Sequence, residues 1–594
     1  MNEKLYGGEE LKKQNWDIVI ALLQESFFNQ RRLAEISGYS LGMVNKTINE
    51  LLEKGYINED MQLTVKTLEE IEMKKPKKAI ILAAGLGMRM VPINFEMPKA
   101  LMEINGEVFI ERIIRQLHEV NVHDITVVVG FMKEKFEYLI DDYGVELIVN
   151  GEYAHRNNLY SLKLAKDKIE NAYIIPSDIW CEKNPFSTTE LYSWYMVSNQ
   201  IDAESMVRLN RKEQLVCVRR EELGNRMIGI AYILREDAIQ LKDNIERLSQ
   251  YKKNYDMFWE EALFRDGKMM VLANVVQSND VVEINTYEEL RDLDEESNHL
   301  KSDAIDIIKT SLQCKDVDIK NITVLKKGMT NRSFLFDVKE KKFIMRIPGE
   351  GTDELINRSQ EANVYEAIQN KKICDDVIYI NSENGYKITE YLENARVCDP
   401  HNIQDIRQCM ERLKKFHQLN LKVNHTFDIF EKIEFYESLW KENISVYRDY
   451  EKTKRNVFRL KKYIDLQEKQ CCLTHIDAVP DNFLFTESGD IRLIDWEYAG
   501  MQDPHVDIAM FCIYALYGKE EIDRLIDIYF EGKCNKETRV KIYAYISCCG
   551  LLWSNWCEYK LQLGVEFGEY SLCQYRYAKE YYKLVEKELE KGNA

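Results

Sequence analysis

The sequence Ala79-Ile-Ile-Leu82-Ala-Ala84-Gly85-Leu-Gly87-Met-Arg89 decides the fold of the central part of the chain. The apolar run from Ala79 to Leu82 predicts a buried strand, and two glycines follow it directly. Glycine lets backbone N–H groups approach a phosphate closely, and Arg89 adds a charge that can neutralise it. Lys99, ten residues beyond Arg89, supplies a second cation. We predict Arg89 and Lys99 as catalytic cations of a nucleotide site whose other contacts come from Leu82, Ala84, Gly85 and Gly87.

The sequence on both sides of this motif alternates short β-rich runs with helical ones, from Ala79 to about Asp294. A helix is predicted over Val108 to Val120. This alternation favours an α/β domain with a largely parallel sheet. Its further strands are predicted at Ile125–Val129, Val145–Val149 and Tyr173–Ile175.

The full motif, extended by Met97-Pro98-Lys99, resembles the sugar-nucleotide pyrophosphorylase superfamily. The resemblance implies a nucleotidyltransferase domain with a Rossmann-like mixed sheet over residues 76–298. The segment Asn150–Leu162 is similar to bacterial CTP:phosphocholine cytidylyltransferases, in the region that closes over nucleotide and substrate. By that resemblance, CTP is the nucleotide and phosphocholine the second substrate, with Mg²⁺ as cofactor. The family pattern places nucleotide contacts at Asn158 and Ser161, magnesium ligands at Asp178 and Asn285, and substrate contacts at Asp256 and Trp259.

A second motif, His475-Ile-Asp477-Ala-Val-Pro-Asp-Asn482, is followed thirteen residues later by Asp495 in Ile494-Asp-Trp-Glu. It matches the catalytic loop that protein kinases share with aminoglycoside and choline kinases. The resemblance implies Asp477 as the catalytic base, with Asn482 and Asp495 as magnesium ligands beside ATP. The chain from about Lys301 opens with β-type runs and then becomes helical. We therefore expect an α+β, two-lobed, protein-kinase-like domain over residues 299–594.

The rest of this region is also similar to bacterial choline kinases. Lys327 to Phe334 resembles the loop that covers the phosphates, with nucleotide contacts expected at Thr330 and Asn331. Arg346 stands where protein kinases have a strand lysine, and Glu361 is its expected helix partner. The resemblance implies choline as the substrate. Choline carries a quaternary ammonium group, which aromatic faces can bind. The aromatic contacts expected for it are Trp553 and Trp556, one helical turn apart, with Tyr570 beyond them.

The first 75 residues predict three helices followed by a strand pair, Tyr56–Ile57 and Leu63–Val65, as in a winged helix-turn-helix. DNA binding through residues 30–54 is one interpretation. These 75 residues carry 10 basic and 13 acidic side chains, a net charge of −3, whereas DNA-binding domains usually carry a basic surface. The segment is equally consistent with a docking, dimerising or ligand-sensing module.

Composition agrees with a multidomain, cytoplasmic protein of 594 residues. The net charge of −19 disfavours a chain built mainly to coat nucleic acid, and no apolar run of membrane-spanning length occurs. We expect a bifunctional enzyme that makes phosphocholine and then CDP-choline, for phosphocholine decoration of cell-surface glycans. Two alternatives are the same reactions on ethanolamine or another amino alcohol, and a metabolite-sensing DNA-binding regulator.

Overall fold

The structure is a computed structural model. It describes residues 11–25, 29–93, 97–203, 205–218, 222–278, 280–295, 297, 300–325, 331–349, 355–441, 444–563, 565 and 567–592. The chain divides into two compact units, Met1–Ser302 and Asp303–Ala594. All 14 cysteines are free thiols, and no helix among the described residues is long and apolar enough to cross a membrane.

The N-terminal helices of the first unit pack around a small apolar core that includes Trp16, Leu33 and Leu51. The four helices are α1 Lys13–Gln24, α2 Gln30–Ser37, α3 Leu41–Glu53 and α4 Val65–Lys74. As predicted, Ser40 caps α3 by accepting a hydrogen bond from the backbone N–H of Met43.

The strand pair predicted for a wing is not found among these residues. Ile57 and Leu63 form a single bridge, and Val65, expected in a strand, begins α4. Thr67 and Ile71 are buried four residues apart, and Leu68, Glu69 and Glu70 between them are good helix formers. This helical period outweighs the β-propensity of Val65.

The nucleotidyltransferase-like domain is built on one mixed sheet of ten strands. Its elements are β1 Lys78–Ala83, β2 Glu103–Ile104, β3 Glu107–Val108, α5 Phe109–Glu119, β4 Asp124–Val129, α6 Tyr138–Tyr143, β5 Glu146–Val149, α7 Asn158–Leu164, β6 Ala172–Pro176, β7 Ile179–Cys181, β8 Trp194–Asp202, β9 Val207–Leu209, β10 Gln214–Cys217, β11 Gly224–Ile233, α8 Arg235–Ser249, β12 Phe264–Arg265, β13 Lys268–Val276, β14 Val281–Glu283 and α9 Tyr287–Leu293. The strand order is β5-β4-β1-β6-β11-β8-β13-β10-β9, with β12 paired to β13.

Strands β5, β4, β1 and β6 run parallel, and β11 reverses the direction. The predicted strands at the start of the domain are found within a residue or two of their expected bounds. Apolar clusters cover both faces of the sheet. The carboxyl ends of β1 and β6 therefore lie side by side, where ligands bind in open α/β sheets.

The second unit has a five-stranded antiparallel sheet, ordered β15-β16-β17-β19-β18, followed by a helical part. Its elements are α10 Asp303–Leu312, β15 Lys320–Val324, β16 Asn331–Val338, β17 Lys341–Pro348, α11 Arg358–Ile368, β18 Val377–Ile380, β19 Lys387–Glu390, β20 Arg396–Val397, α12 Ile403–Gln418, α13 Ile429–Ser438, α14 Tyr450–Asp465, β21 Cys472–Thr474, β22 Phe483–Phe485, β23 Ile491–Leu493, β24 Gly500–Gln502, α15 His505–Tyr514, α16 Lys519–Tyr529, α17 Lys536–Gln562 and α18 Glu569–Gly592. The sheet followed by helices is the predicted two-lobed arrangement.

Helix α17 is the centre of the helical lobe, and it is buried on all sides from Val540 to Lys560. It packs against α18. At Gly550 a Cβ atom would lie 2.7 Å from the carbonyl oxygen of Gln574, so the two helices approach only because this residue has no side chain. This packing fixes the face of α17 that carries Trp553 and Trp556.

Candidate active sites

The residues predicted for the nucleotidyltransferase site meet beyond the carboxyl ends of β1 and β6. Lys99 Nζ lies 2.7 Å from Asp178 Oδ2 and 2.9 Å from Asn285 Oδ1. Arg89 Nη2 lies 3.1 Å from the same amide oxygen of Asn285. Four residues that are far apart in sequence thus form one cluster of two cations, one carboxylate and one amide.

Backbone pairing explains why Asp178 and Asn285 meet. Asp178 stands between β6 and β7, and β7 pairs with β14, which ends two residues before Asn285. The backbone N–H of Ile284 donates to the carbonyl oxygen of Asp178 at 3.2 Å. The two side chains are therefore held at one point of the sheet edge.

The glycine motif leads from β1 into this cluster. Gly87 has φ +59°, a left-handed conformation that suits glycine, and it begins the turn that carries Arg89. Leu82 and Ala84 are buried at the strand end, whereas Gly85 is exposed. The exposed backbone of Gly85 is consistent with the predicted contact to a phosphate.

Asp178 and Asn285 supply one carboxylate and one amide oxygen, donors that suit Mg²⁺. Within the described part of the chain, no group of three or more His, Cys, Asp or Glu side chains is arranged to hold a metal. A magnesium ion at this cluster therefore needs further oxygens from the nucleotide and from water. This is how Mg²⁺ usually binds in nucleotide sites.

The segment around Asn158 is tied to the segment around Trp259. Asn158 Oδ1 accepts a hydrogen bond from the backbone N–H of Trp259 at 2.8 Å, and Asn157 Nδ2 donates to the carbonyl oxygen of Asp256 at 3.0 Å. Ser161 is buried and accepts from Asn150 Nδ2 at 3.0 Å. Asn158 and Ser161 thus have structural partners in addition to the predicted nucleotide contact.

Trp259 does not stand where a substrate contact was expected. Its side chain is 0% exposed and packs against Tyr195 in the core, with 5.9 Å between ring centroids. Its neighbour Phe258 is 52% exposed, and Asp256 is also exposed. Trp259 begins a short helical turn that ends at Leu263, and its side chain is buried there among core residues.

Glu260 is a buried acid that the sequence patterns did not single out. The pKa of Glu260 is raised to about 7, mainly by burial and in part by the nearby negative charge of Asp178. Tyr195 Oη donates to Glu260 Oε1 at 3.2 Å. The only signal in the sequence was the position of Glu260 next to Trp259.

In the second unit, Asp477, Asn482 and Asp495 meet as the motif predicts. Asn482 Nδ2 donates to Asp477 Oδ2 at 3.2 Å, and the backbone N–H of Ile494 donates to the carbonyl oxygen of Asn482 at 3.0 Å. The hairpin of β22 and β23 lies between the two parts, as the spacing of thirteen residues requires. Asp495 adopts φ +68°, a left-handed conformation that is uncommon for an aspartate.

The pKa of Asp477 is raised to about 8, first by burial and then by the negative charges of Asp495 and Glu497. Burial also raises the pKa of Asp495. The positive charge of Lys387, and to a smaller extent that of Arg346, opposes this rise. The negative charges of Asp477, Asp495 and Glu497 repel one another, and a bound cation would offset this repulsion. The site is therefore prepared to receive positive charge.

The loop from His475 to Asn482 is held in place by Asp507, which is fully buried on α15. Its carboxylate accepts hydrogen bonds from the backbone N–H groups of His475, at 3.0 Å, and Ile476, at 2.7 Å. It also lies 2.9 Å from His417 Nε2. The sequence patterns did not identify Asp507, because nothing near it resembles a site motif.

Arg346 and Glu361 form the predicted ion pair between β17 and α11. Arg346 Nη2 lies 2.9 Å from Glu361 Oε2, and both side chains are nearly fully buried. Burial acts to raise the pKa of Glu361, but Arg346 outweighs it and the pKa is lowered. Thr330 lies outside the described residues. Asn331 begins β16 opposite Pro348.

One cavity of about 1150 Å³ is lined by Asp477, Asp495 and a group of aromatic rings. Trp553 lies edge-on to Tyr498, with ring centroids 5.5 Å apart, and 5.4 Å from Trp556. Tyr570 closes the group through Phe567 and Tyr514. The aromatic residues that line the cavity are Tyr498, Tyr514, Trp553, Trp556, Phe567 and Tyr570.

The two folds and their sites define a nucleotidyltransferase domain fused to a kinase-like domain. Comparisons with known proteins agree with this class. The MobA-like NTP transferase domain family matches residues 79–189, and the choline/ethanolamine kinase family matches residues 322–547.

Individual relatives match each unit over almost their whole length. The choline-phosphate cytidylyltransferase of Streptococcus pneumoniae is 33% identical over 223 residues, 37% of this chain and 97% of that protein. Protein LicA of Haemophilus influenzae is 28% identical over 261 residues, 41% of this chain and 95% of that protein. The crystal structure of choline kinase LicA from Streptococcus pneumoniae has 29% identity and a TM-score of 0.42, covering 47% of this chain and 98% of that chain. The chain belongs to the choline-phosphate cytidylyltransferase family, and its second unit matches the choline/ethanolamine kinase family.

Proposed function

We propose that the protein phosphorylates choline with ATP and then couples phosphocholine to CTP, giving CDP-choline and pyrophosphate. The activities fit the family of each unit. The carrying observation is that the catalytic base of a kinase, Asp477, shares one cavity with a group of aromatic rings. Choline presents a hydroxyl group to such a base and a trimethylammonium group to such rings. As in the sequence-based expectation, the product serves phosphocholine decoration of cell-surface glycans.

In the first reaction, Asp477 accepts the proton of the choline hydroxyl group, whose oxygen attacks the γ-phosphorus of ATP, and ADP leaves. Asn482 and Asp495 are the residues that would hold magnesium, which supplies positive charge next to the phosphates. Asn482 also donates a hydrogen bond to the carboxylate of Asp477 and so fixes its direction.

In the second reaction, a phosphate oxygen of phosphocholine attacks the α-phosphorus of CTP and pyrophosphate leaves. Lys99 and Arg89 offset the charge that develops on the α-phosphate, while the backbone at Gly85 to Gly87 holds the leaving phosphates. Asp178 and Asn285 would hold magnesium there. Both cations converge on the amide of Asn285, so they are already positioned before substrate binds.

Phosphorus NMR of the protein with choline, ATP, CTP and magnesium tests the two-step scheme. We expect phosphocholine to appear first and CDP-choline afterwards. Asp477→Asn should stop the first step yet leave CDP-choline formation from supplied phosphocholine intact. Lys99→Met should do the reverse and accumulate phosphocholine. Lys133→Met, which removes an exposed lysine of the same domain, is the matched control for Lys99→Met. Loss of both activities in each folded variant would refute two independent sites.

Ethanolamine is the second candidate substrate, because Asp481 and Glu497 also line the cavity and can accept hydrogen bonds from a primary ammonium group. Trp556→Leu separates the candidates. Loss of one cation–π contact of about 2 kcal/mol should raise KM for choline about thirtyfold. If ethanolamine turns over faster than choline in the unaltered protein, the assignment to choline is wrong.

For the N-terminal helices we propose a docking role on the nucleotidyltransferase domain. Leu191 of that domain belongs to their apolar core, and Asp17 accepts hydrogen bonds from Tyr39 and from Tyr192 of the domain. Helix α3 keeps Asn45 and Lys46 exposed, so DNA binding through residues 30–54 is the alternative. Fluorescence anisotropy with labelled genomic fragments separates the two: binding that survives competitor DNA would favour the alternative.

A further inference from the structure

Lys387 is a buried cation of the kinase cavity that no sequence motif assigns. It begins β19, directly opposite Arg346 on β17, and its side chain lines the same cavity as Asp477 and Asp495. Only 7% of Lys387 is exposed. A buried lysine normally has a negatively charged partner, because removing an ammonium group from water is costly.

The contacts of Lys387 leave most of its hydrogen-bonding capacity unused. Nζ donates to the hydroxyl group of Tyr365 at 2.6 Å and lies 4.4 Å from the centre of that ring. Within the described ranges, no carboxylate forms an ion pair with it. An ammonium group has three N–H donors, so two remain for a ligand.

Arg346, by contrast, is already committed to the protein. Its two terminal nitrogens bind both carboxylate oxygens of Glu361, and Nη2 also donates to the carbonyl oxygen of Gly385 at 2.9 Å. Nη1 faces Glu497 as well, at 3.9 Å. The Nε of Arg346 has no hydrogen-bond partner among the described residues, but the charge of this residue, which stands at the usual lysine position, is already paired with the carboxylate of Glu361.

We propose that Lys387 is the cation that contacts the phosphates of ATP, while Arg346 positions α11 through Glu361. The two functions that one strand lysine combines in protein kinases are thereby divided between cross-strand neighbours. This inference rests on the proposed kinase function. It assigns a residue to that reaction which neither the motif nor the family match identifies.

Binding of ADP and of adenosine to the full-length protein, measured by calorimetry, tests the proposal. The two ligands differ in their phosphates, so the ratio of their affinities isolates the phosphate contact. Lys387→Met should weaken ADP binding about tenfold or more, because a charge-assisted hydrogen bond is lost, and leave adenosine binding within about twofold. Lys387→Gln, which keeps a donor for Tyr365, should give the same result if the methionine variant does not fold.

Two controls complete the experiment. Lys341→Met removes an exposed lysine on the same strand as Arg346, paired with Glu390, and should leave both affinities unchanged. Tyr365→Phe removes the protein partner of Lys387 but not its charge, and should preserve the preference for ADP. An unchanged ratio in both Lys387 variants would overturn the proposal alone. If the unaltered protein binds ADP no better than adenosine, the kinase function itself fails, and this inference with it.

Discussion

Replacing Asp507 with asparagine should disable the kinase without touching its reacting groups. Asp507 holds the catalytic loop through the backbone N–H groups of His475 and Ile476. Ile476 has φ +68°, which is strained for a β-branched residue and costs about 1–3 kcal/mol. Such a conformation persists only where the surrounding structure enforces it. Here the carboxylate of Asp507 on α15 does so by accepting a hydrogen bond from the backbone N–H group of Ile476.

The size of the effect follows from the number of acceptor oxygens that the side chain offers. Asparagine offers one oxygen in place of two, and its NH₂ group would face either a backbone N–H group or the ring of His417. One buried N–H group loses its acceptor, at a cost of about 2 kcal/mol. This loss destabilises the loop conformation that positions Asp477, so we expect kcat of phosphoryl transfer to fall about thirtyfold.

Initial rates of both activities on the same purified sample provide the assay. CDP-choline formation from supplied phosphocholine should stay within about twofold, since Asp507 belongs to the other compact unit. Asp465→Asn, which changes an exposed aspartate paired with Lys469, is the matched control. If folded Asp507→Asn protein phosphorylates choline at the unaltered rate, the loop holds its own conformation and the reasoning is wrong.

The remaining predictions concern protons and metal. The pKa of Asp477 is raised to about 8, and a general base must be unprotonated, so kcat/KM for choline at low magnesium should rise as pH increases towards about 8. A profile that is flat from about pH 6 to 9 would contradict this. Asn285→Asp adds a carboxylate beside Asp178, so half-saturation of cytidylyl transfer should occur at a magnesium concentration several-fold lower. The magnesium dependence of choline phosphorylation in the same variant is the internal control, and a shift in that activity instead would refute the site assignment.

Residues that act within one short segment could be predicted from the sequence. The loop from His475 to Asn482 and the turn from Gly85 to Arg89 carry their chemistry at fixed local spacing, and the strands beside them follow from apolar runs. Lys99 was predicted from the same local motif, whereas Asp178 and Asn285 required the family resemblance. The structure brings the last two together through the pairing of β7 with β14, and Lys99 contacts both.

The residues that were missed act across elements. Lys387 matters because of its register opposite Arg346, and Asp507 because α15 packs beneath the catalytic loop. Neither relation leaves a periodic signal in the sequence. Trp259 is the opposite case: the family pattern predicted it as a substrate contact, but a short helical turn places it in the core, while Phe258 is exposed. A residue's place in a motif does not determine which way its side chain points.

The charge of each site matches the charge of its substrates. The kinase cavity must hold a cation, choline, beside the polyanion ATP, and it combines aromatic rings and several carboxylates with Lys387. At the nucleotidyltransferase site both substrates carry phosphate, and there two cations converge: Lys99 lies 2.7 Å from Asp178, and Arg89 lies 3.1 Å from Asn285. A phosphate added at the first site therefore converts a ligand suited to carboxylates into one suited to paired cations. The carboxylates of the kinase cavity repel the phosphate of phosphocholine, which promotes release of this product. Release from the first site favours the proposed order of the two steps.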